Sequence, residues 1–205
     1  MPGLFITLEG GDGSGKSTQL RLLTEWLTDA GHTVVESREP GGTELGLELR
    51  EIILHRRGYI APRAEALIYA ADRAHNIATK VRPALERGEI VIQDRYFDSS
   101  VAYQGAGRVL DPAQVRDLSL WATEGLVPDV TVLLDLPTVD GRERLGARTK
   151  YDRLEAEQDD FHDRVRNAYL ALAADEPERF LVIDATMPVE AIAASIRRRV
   201  EAQLS

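Results

Sequence analysis

Residues 10–17 read Gly10-Gly11-Asp12-Gly13-Ser14-Gly15-Lys16-Ser17, and this octapeptide carries the strongest signal in the 205-residue chain. It matches the pattern G-x-x-x-x-G-K-S/T at every fixed position. A short apolar run at residues 5–9 comes directly before it, and leucines at helical spacing follow it. Glycines let backbone N–H groups turn toward an anion, and a helix N-terminus adds the positive end of its dipole. The octapeptide therefore predicts a phosphate-binding loop, against the alternative of a glycine turn with a chance lysine.

Strand-like and helix-like segments alternate along the rest of the chain. The predicted strands are short runs rich in Val, Ile and Leu, at residues 5–9, 33–37, 90–94, 130–135 and 180–184. Predicted helices lie between them, including residues 16–30, 43–54, 62–87 and 189–201, and Pro83 kinks or splits the third of these. Apolar strands separated by helices predict an α/β fold with a five-stranded parallel sheet covered on both faces. Such sheets bind ligands beyond the carboxyl ends of their strands.

The residues of the loop have predictable partners in a nucleotide. Lys16 is expected to reach the β- and γ-phosphates, and the Ser17 hydroxyl to hold Mg²⁺. ATP binding is expected from Gly10, Gly11, Asp12, Gly13, Ser14, Gly15, Lys16, Ser17 and Thr18. GTPase switches, motor ATPases and kinases all use this motif, so it does not by itself name a reaction.

Asp94 and Arg95 follow the third predicted strand directly, which places them at the carboxyl edge of the sheet. A carboxylate there can hold Mg²⁺, and an arginine can grip a second phosphate with two hydrogen bonds. A surface ion pair is the alternative, and it would be preferred for an isolated match. The neighbouring loop motif favours the phosphate site.

Two further clusters combine aromatic and polar side chains. Tyr69 and Arg73 are four residues apart on a predicted helix and share a face, where they could stack and bond a base. A core tyrosine with a solvent-exposed arginine is the alternative, and spacing alone favours it. The other cluster is weak by itself and comprises Ser99, Ser100, Tyr103 and Gln104.

Composition restricts the partners. The net charge of -9 makes a nucleic acid an unexpected partner, because the average field repels a polyanion. No window approaches the 18 apolar residues of a membrane span, and no secretory signal pattern opens the sequence, so a cytoplasmic enzyme is expected. The chain has no cysteine, which excludes disulfides, thiolate metal sites and a cysteine nucleophile.

Several segments together resemble the thymidylate kinases of the bacterial kind, over nearly the whole chain. They are Glu9 to Thr18, Arg38-Glu39-Pro40-Gly41-Gly42-Thr43, Asp94-Arg95-Tyr96, Ser99-Ser100, Ala102-Tyr103-Gln104-Gly105 and Asp152-Arg153-Leu154-Glu155. The resemblance implies a single nucleoside monophosphate kinase domain over residues 1–205, with the three-layer fold of P-loop NTPases. It also implies phosphorylation of thymidine monophosphate by ATP with Mg²⁺, and a homodimer.

The resemblance also implies roles for matching residues. Arg50 and Arg95 bind the thymidylate phosphate, Arg73 the edge of the base, and the Tyr69 ring stacks on thymine. Asp12 lies near the sugar 3′-hydroxyl and the metal, with Ser17 and Asp94 as metal ligands. The full expected substrate set is Glu39, Arg50, Tyr69, Arg73, Arg95, Ser99, Ser100, Tyr103 and Gln104. The peptide bond between Glu39 and Pro40 is often cis in this family.

Residues 141–164 are dense in charge and poor in apolar residues, so they are expected to form a mobile flap rather than core, with the lid over the substrates at approximately residues 141–160. Some family members carry an arginine in the loop where this chain has Gly13, and they lack a catalytic lid arginine. This chain has several lid arginines, of which Arg148 is predicted to be catalytic together with Lys16, Arg95 and Asp12. For Arg142 and Arg144, the alternative that they only solvate the lid stays open.

Two rival functions also stay open. A kinase for another nucleoside monophosphate would share the loop but lack Tyr103 and Gln104 paired with Tyr69 and Arg73. A nucleotide-hydrolysing switch module would carry a guanine-reading N-K-x-D motif, which the sequence lacks.

Overall fold

The computed structural model describes residues 3–55, 58–108, 110–146, 152–155 and 157–204. Within them, five strands form one sheet in the order β2-β3-β1-β4-β5, and every neighbouring pair is parallel. The strands are β1 Leu4–Gly10, β2 Val34–Arg38, β3 Ile90–Asp94, β4 Val130–Asp135 and β5 Phe180–Asp184. The predicted five-stranded parallel sheet is therefore confirmed, with strand ends within one residue or two of the expected positions.

Helices cover both faces of the sheet. Their bounds are α1 Lys16–Asp29, α2 Glu44–Arg50, α3 Pro62–Asn76, α4 Arg82–Glu86, α5 Phe97–Ser100, α6 Pro112–Ala122, α7 Thr138–Leu145, α8 Asp159–Asp175 and α9 Val189–Leu204. Among the described residues, three π-helical segments extend α2, α3 and α5, at Glu51–His55, Ile77–Val81 and Val101–Gly107.

The predicted helix at residues 43–54 ends in a π-helical segment, and the one at residues 62–87 is interrupted by one. The first begins one residue later than expected, because the Thr43 hydroxyl caps it by accepting from the Gly46 N–H at 3.0 Å. In the second, Pro83 falls in the first turn of α4. A backbone N–H in a first turn has no partner within the helix, so proline is tolerated there.

Apolar side chains of the strands point alternately to two core regions. On β1, Ile6 and Leu8 pack with α1 and α9, whereas Phe5 packs with Ile77 and other residues on the opposite face. This alternation is what a parallel sheet buried between two helical layers requires. In the described residues, no helix is both long enough and apolar enough to cross a bilayer.

The predicted lid is bordered by α7 and α8. The expectation that the charge-dense stretch up to residue 164 stands apart from the core is wrong for Leu154 and Phe161. Both are buried in a cluster that also contains Tyr69. Residues 147–151 and 156 lie outside the described residues, and the mobility of the lid stays a prediction.

Candidate active site

A cavity of about 390 Å³ lies at the carboxyl ends of β1, β2 and β3. One side is formed by the loop wall, which we define as residues 10–18. The other is formed by the arginine wall, which we define as Arg50, Arg73, Arg95 and the side chains bonded to them. Lys16 and Arg95 both line this cavity, so the sheet brings the two predicted phosphate-binding groups into one cleft. Gly10 and Gly11 line an adjoining cavity of about 370 Å³, which Asp12 also borders.

The loop wall positions Lys16 at the start of α1. Gly15 adopts the left-handed conformation just before the helix, at φ 95°. The Lys16 ammonium donates to the carbonyl oxygens of Gly10 at 3.0 Å and Gly11 at 2.8 Å. Burial and the positive charge of Arg95 lower the pKa of Lys16 to about 8. A phosphate entering the loop would favour the charged form of this lysine.

Gly13 makes the closest approach of the loop to α7. Its φ is +77°, and a Cβ added there would lie 2.8 Å from the backbone oxygen of Gly141. A Cβ added to Gly141 would in turn lie 2.9 Å from the backbone oxygen of Asp12. Both glycines are therefore needed for α7 to pack directly on the loop.

Arg95 is aimed into the cavity by an unusual backbone. Its φ of 67° is left-handed, which costs a non-glycine residue roughly 1–3 kcal/mol. The Arg95 guanidinium donates to the Asp12 carboxylate at 2.7 Å and stands 5.0 Å from the centre of the Tyr103 ring. Burial opposes ionisation of Asp12, but Arg95 and Lys16 outweigh it and lower the pKa of the Asp12 carboxyl. The pair thus links the arginine wall to the loop wall.

A buried carboxylate holds two of the hydroxyl groups that contact Arg95. Glu9, the residue before the loop motif, accepts from the Tyr96 N–H at 2.7 Å, the Ser99 hydroxyl at 2.6 Å and the Tyr169 hydroxyl at 2.9 Å. Ser99 and Tyr169 in turn accept from Arg95 at 3.3 and 3.4 Å. Burial and the charge of Asp98 raise the pKa of Glu9 to about 7. Sequence reasoning gave Glu9 no role and missed Tyr169, because no local pattern joins α8 to β1.

Arg73 is a buried residue, so the exposed alternative for it is wrong. It is 1% exposed yet lines the cavity. Its guanidinium donates to Glu39 at 2.7 Å, Ser100 at 2.9 Å and Ser119 at 3.0 Å. Glu39 also accepts from Gln93 at 3.0 Å. This network of hydrogen bonds fixes the orientation of Arg73 before any ligand enters.

The remaining predicted substrate residues border the same cavity. Tyr69 is 8% exposed and belongs to both the core and the cavity lining. Arg50 is held by the carbonyl oxygen of Pro40 at 2.8 Å, and the bond between Glu39 and Pro40 is cis. Gln104 also lines the cavity, and its amide donates to Glu65.

The predicted metal ligands fit a hard cation. Ser17 and Asp94 both line the cavity, and Asp94 Oδ1 is a buried acceptor without a hydrogen-bond partner among the described residues. Mg²⁺ prefers oxygen ligands and completes its shell with water and substrate phosphates. The described residues contain no group of three or more acidic, histidine or cysteine side chains able to hold a metal alone. A cation bound with phosphate suits these two residues.

The lid arginines are placed differently from one another. Arg148, the predicted catalytic residue, lies outside the described residues. Arg142 pairs with Asp159 at 2.7 Å at the surface. Arg144 is exposed, yet it also lines the cavity and donates to the carbonyl oxygen of Ala185 at 2.8 Å, so the alternative that it only solvates the lid stays open.

Comparison with known proteins gives a consistent result. A family model described as thymidylate kinase matches residues 8–196. The chain is 72% identical over 204 residues to the thymidylate kinase of Leifsonia xyli subsp. xyli (strain CTCB07), with 99% of this chain and 97% of that protein covered. It is 71% identical over 200 residues to the thymidylate kinase of Clavibacter sepedonicus, with 97% and 95% covered. The crystal structure of thymidylate kinase from Ehrlichia chaffeensis superposes with a TM-score of 0.80 at 29% identity, over 98% of this chain and 99% of that one. The chain therefore belongs to the thymidylate kinase family.

Proposed function

We propose that this enzyme transfers the γ-phosphoryl group of ATP to the 5′-phosphate of thymidine monophosphate. The observation that carries the proposal is the single cavity lined by both Lys16 and Arg95. Two anionic phosphates need fixed cations on both sides if they are to approach each other. Family membership supports the same reaction and the same substrates.

ATP occupies the loop wall in this proposal, and thymidylate the arginine wall. Arg95 and Arg50 bind the acceptor phosphate, and Tyr69 stacks on thymine. Arg73 and Gln104 contact the edge of the base. Glu39, Ser99, Ser100 and Tyr103 complete the acceptor pocket. Support comes from the lining of the cavity, which includes all nine of these side chains.

The protein forms no covalent bond to the substrates in this reaction. An oxygen of the thymidylate phosphate forms a bond to Pγ while the bond from Pγ to the β–γ bridging oxygen breaks, and the electron pair leaves on ADP. No protein base is needed, because the attacking oxygen already carries charge. Lys16 stabilises the donor phosphates, and Arg95, tied to Asp12, fixes the acceptor. Mg²⁺ on Ser17 and Asp94 would neutralise charge on the ATP phosphates.

Arg148 is proposed to place a cation on the transferring phosphoryl group when the lid closes. Changing Arg148 to Ala should lower kcat by about 10³-fold, because an arginine at this position acts mainly on the transition state. The KM for ATP should change little. Retention of full kcat in steady-state assays would rule out the assignment.

A coupled ADP-release assay against a panel of nucleoside monophosphates tests the proposed function. We expect stoichiometric ADP and thymidine diphosphate, dependent on added thymidylate and on Mg²⁺. A preference for uridylate or another monophosphate would support the rival kinase. ADP release without any acceptor would support the switch module.

A homodimer in the cytoplasm is proposed for the working enzyme. Leu67 on α3 and Trp121 on α6 are 56% and 81% exposed, and these two helices pack against each other. Large apolar side chains exposed on two neighbouring helices are suited to a protein contact surface. Light scattering on the purified chain tests the dimer, and a monomer mass at micromolar concentration would contradict it.

A further inference from the structure

Glu65 is a buried carboxylate directly behind the acceptor pocket. It lies on α3 with 0% exposure. Its Oε1 accepts from the Gln104 amide nitrogen at 2.9 Å and from Arg108 Nε at 3.4 Å, and its Oε2 accepts from Arg153 Nη2. A buried carboxylate is tolerated when cations and hydrogen-bond donors surround it. The two arginines therefore hold a negative charge behind Gln104.

This charge determines which way the Gln104 amide faces. An ionised carboxylate only accepts hydrogen bonds, whereas a glutamine amide has a donating NH₂ group and an accepting carbonyl oxygen. Only the NH₂ group can satisfy Glu65. Because the two ends of a planar amide point in different directions, the carbonyl oxygen of Gln104 turns away from Glu65. Gln104 itself lines the cavity, so its carbonyl is the end that can face a ligand there.

We propose that Glu65 is a positioning residue for base selection, acting by holding the Gln104 amide with its carbonyl oxygen toward the nucleobase. The proposal rests on the acceptor pocket of the proposed function. Thymine presents an N3–H donor flanked by carbonyl oxygens, which suits an accepting carbonyl from Gln104 and donating groups from Arg73. Cytosine presents an acceptor at N3 and an amino group at C4. In the same position, cytosine N3 would face the carbonyl oxygen of Gln104, so that two acceptors oppose each other. Its C4 amino group would face Arg73, so that two donors oppose each other.

The orientation of the Gln104 amide determines whether the pocket distinguishes thymine from cytosine at N3. If Gln104 were free to rotate its amide by half a turn, it would donate to cytosine N3 as readily as it accepts from thymine N3–H. A pocket selects strongly only when its polar groups are left unpaired by the wrong ligand. Glu65 removes the second orientation, because the rotated amide would place its carbonyl oxygen against the carboxylate.

The substitution Glu65→Gln tests the proposal. It keeps the shape of the side chain, but the new amide can donate as well as accept, so the rotated Gln104 is no longer excluded: the NH₂ group can take the place of Oε1 at the cost of only the 3.4 Å contact with Arg108. The fold should persist, because Arg108 keeps its pairing with Glu157 at 2.5 Å and Arg153 keeps its bond to the Ile53 carbonyl oxygen at 2.9 Å. We expect the ratio of kcat/KM for dTMP to that for dCMP to fall about tenfold, the scale of one hydrogen bond.

Two control variants separate orientation from general damage. Glu157→Gln removes one negative charge from the same cluster without touching Gln104, and it should leave the dTMP/dCMP ratio unchanged. Gln104→Ala should lower the ratio, and adding Glu65→Gln to it should lower the ratio no further, because the group to be oriented is gone.

The outcomes are distinct. A tenfold fall in E65Q that disappears in the Q104A background supports the proposal. An unchanged ratio in E65Q with a lowered ratio in Q104A overturns the role of Glu65 and leaves the acceptor pocket standing. Unchanged ratios in both overturn the pocket assignment as well. Equal losses with dTMP and dCMP in E65Q would show a structural role only, and would also overturn the proposal.

A second measurement applies if E65Q does not fold. In ¹H–¹⁵N spectra of the unchanged protein with dTMP bound, the Gln104 side-chain amide is assigned by its loss in Q104A. Its protons should exchange slowly with D₂O, because one of them is bonded to a buried carboxylate. Rapid exchange of both protons would overturn the proposal.

Discussion

Residues 10–18 on the loop wall offer mainly backbone N–H groups and one ammonium, whereas the arginine wall offers side chains that are held by other side chains. Lys16 is contiguous in sequence with the groups around it. Arg95 instead depends on Asp12, Ser99, Tyr103 and Tyr169, which come from three segments of the chain: the loop, the helical stretch 97–107 and α8. A phosphate-binding loop made of backbone groups can be specified by one short motif. A network of side-chain hydrogen bonds exists only after the fold has brought distant residues together. The two walls should therefore respond differently to substitution.

The largest effect is expected on the loop wall. Changing Lys16 to Ala should lower kcat/KM by about 10³-fold with either substrate, because a preorganised cation at the transferring group is lost. Steady-state assays with ATP and dTMP measure it. Lys80→Ala removes a lysine that does not line the cavity and should retain activity. Retained activity in K16A would mean that the backbone alone forms the donor site.

A smaller and more selective loss is expected on the arginine wall. Changing Arg95 to Ala should lower kcat/KM for dTMP about 10²-fold, because a buried charged contact with the acceptor disappears. ATP affinity, measured by fluorescence titration, should stay nearly unchanged. Arg21→Ala, which removes a surface arginine paired with Glu25, is the control. If ATP affinity fell in R95A, Arg95 would belong to the donor side.

A buried carboxylate near the arginine wall makes the stability of the fold sensitive to pH. Burial and the charge of Glu39 raise the pKa of Asp72 to about 7. Between about pH 4 and 7 the unfolded state has released this proton while the folded state retains it, so the contribution of Asp72 to stability falls as pH rises. Asp72→Asn keeps an acceptor for the Gly41 N–H.

This variant should therefore be more stable than the unchanged protein at about pH 8, by on the order of 2 kcal/mol, and not at about pH 4. Urea unfolding at the two pH values measures the difference. The exposed residue Asp117, changed to Asn, should show no such pH dependence. An equal gain at both pH values in D72N would show that ionisation of the buried carboxyl is not the cause.

The smallest effect is expected from Tyr169 on α8. Changing it to Phe removes one hydroxyl from the group that holds Glu9 and Arg95. One hydrogen bond corresponds to about a three- to tenfold rise in KM for dTMP, with KM for ATP unchanged. Tyr59→Phe, at an exposed residue, is the matched control. Equal changes in both KM values would place Tyr169 outside the acceptor side.

The sequence predicted most of this architecture because its signals are local. Gly10 to Ser17 are contiguous in sequence, so the phosphate-binding loop can be predicted from one short motif. Apolar strands alternate with helices, which predicts the parallel sheet and the position of the site at the carboxyl ends of its strands. The family resemblance is confirmed over residues 8–196. The π-helical turns were not predicted, because one extra residue per turn barely changes the apolar spacing.

Burial and long-range pairing were the harder part to predict. Arg73 finds Ser119 across 46 residues of sequence, and Ser99 finds Tyr169 across 70. Residue spacing on one helix cannot show such partners. Spacing alone therefore favoured a solvent-exposed Arg73, although the side chain is buried. The roles of Glu9 and Glu65 were not predicted for the same reason. The roles assigned to the pocket residues stay predictions.

The contact between Gly13 and Gly141 has an evolutionary consequence. This chain cannot gain an arginine at position 13 of the loop by one substitution without disturbing α7. Arginine at position 13 would bring a Cβ into the backbone of α7 and would hold an unfavourable φ. The helix would have to shift before the charge could move from lid to loop. A loop arginine could therefore arise in this chain only together with a change in the packing of α7.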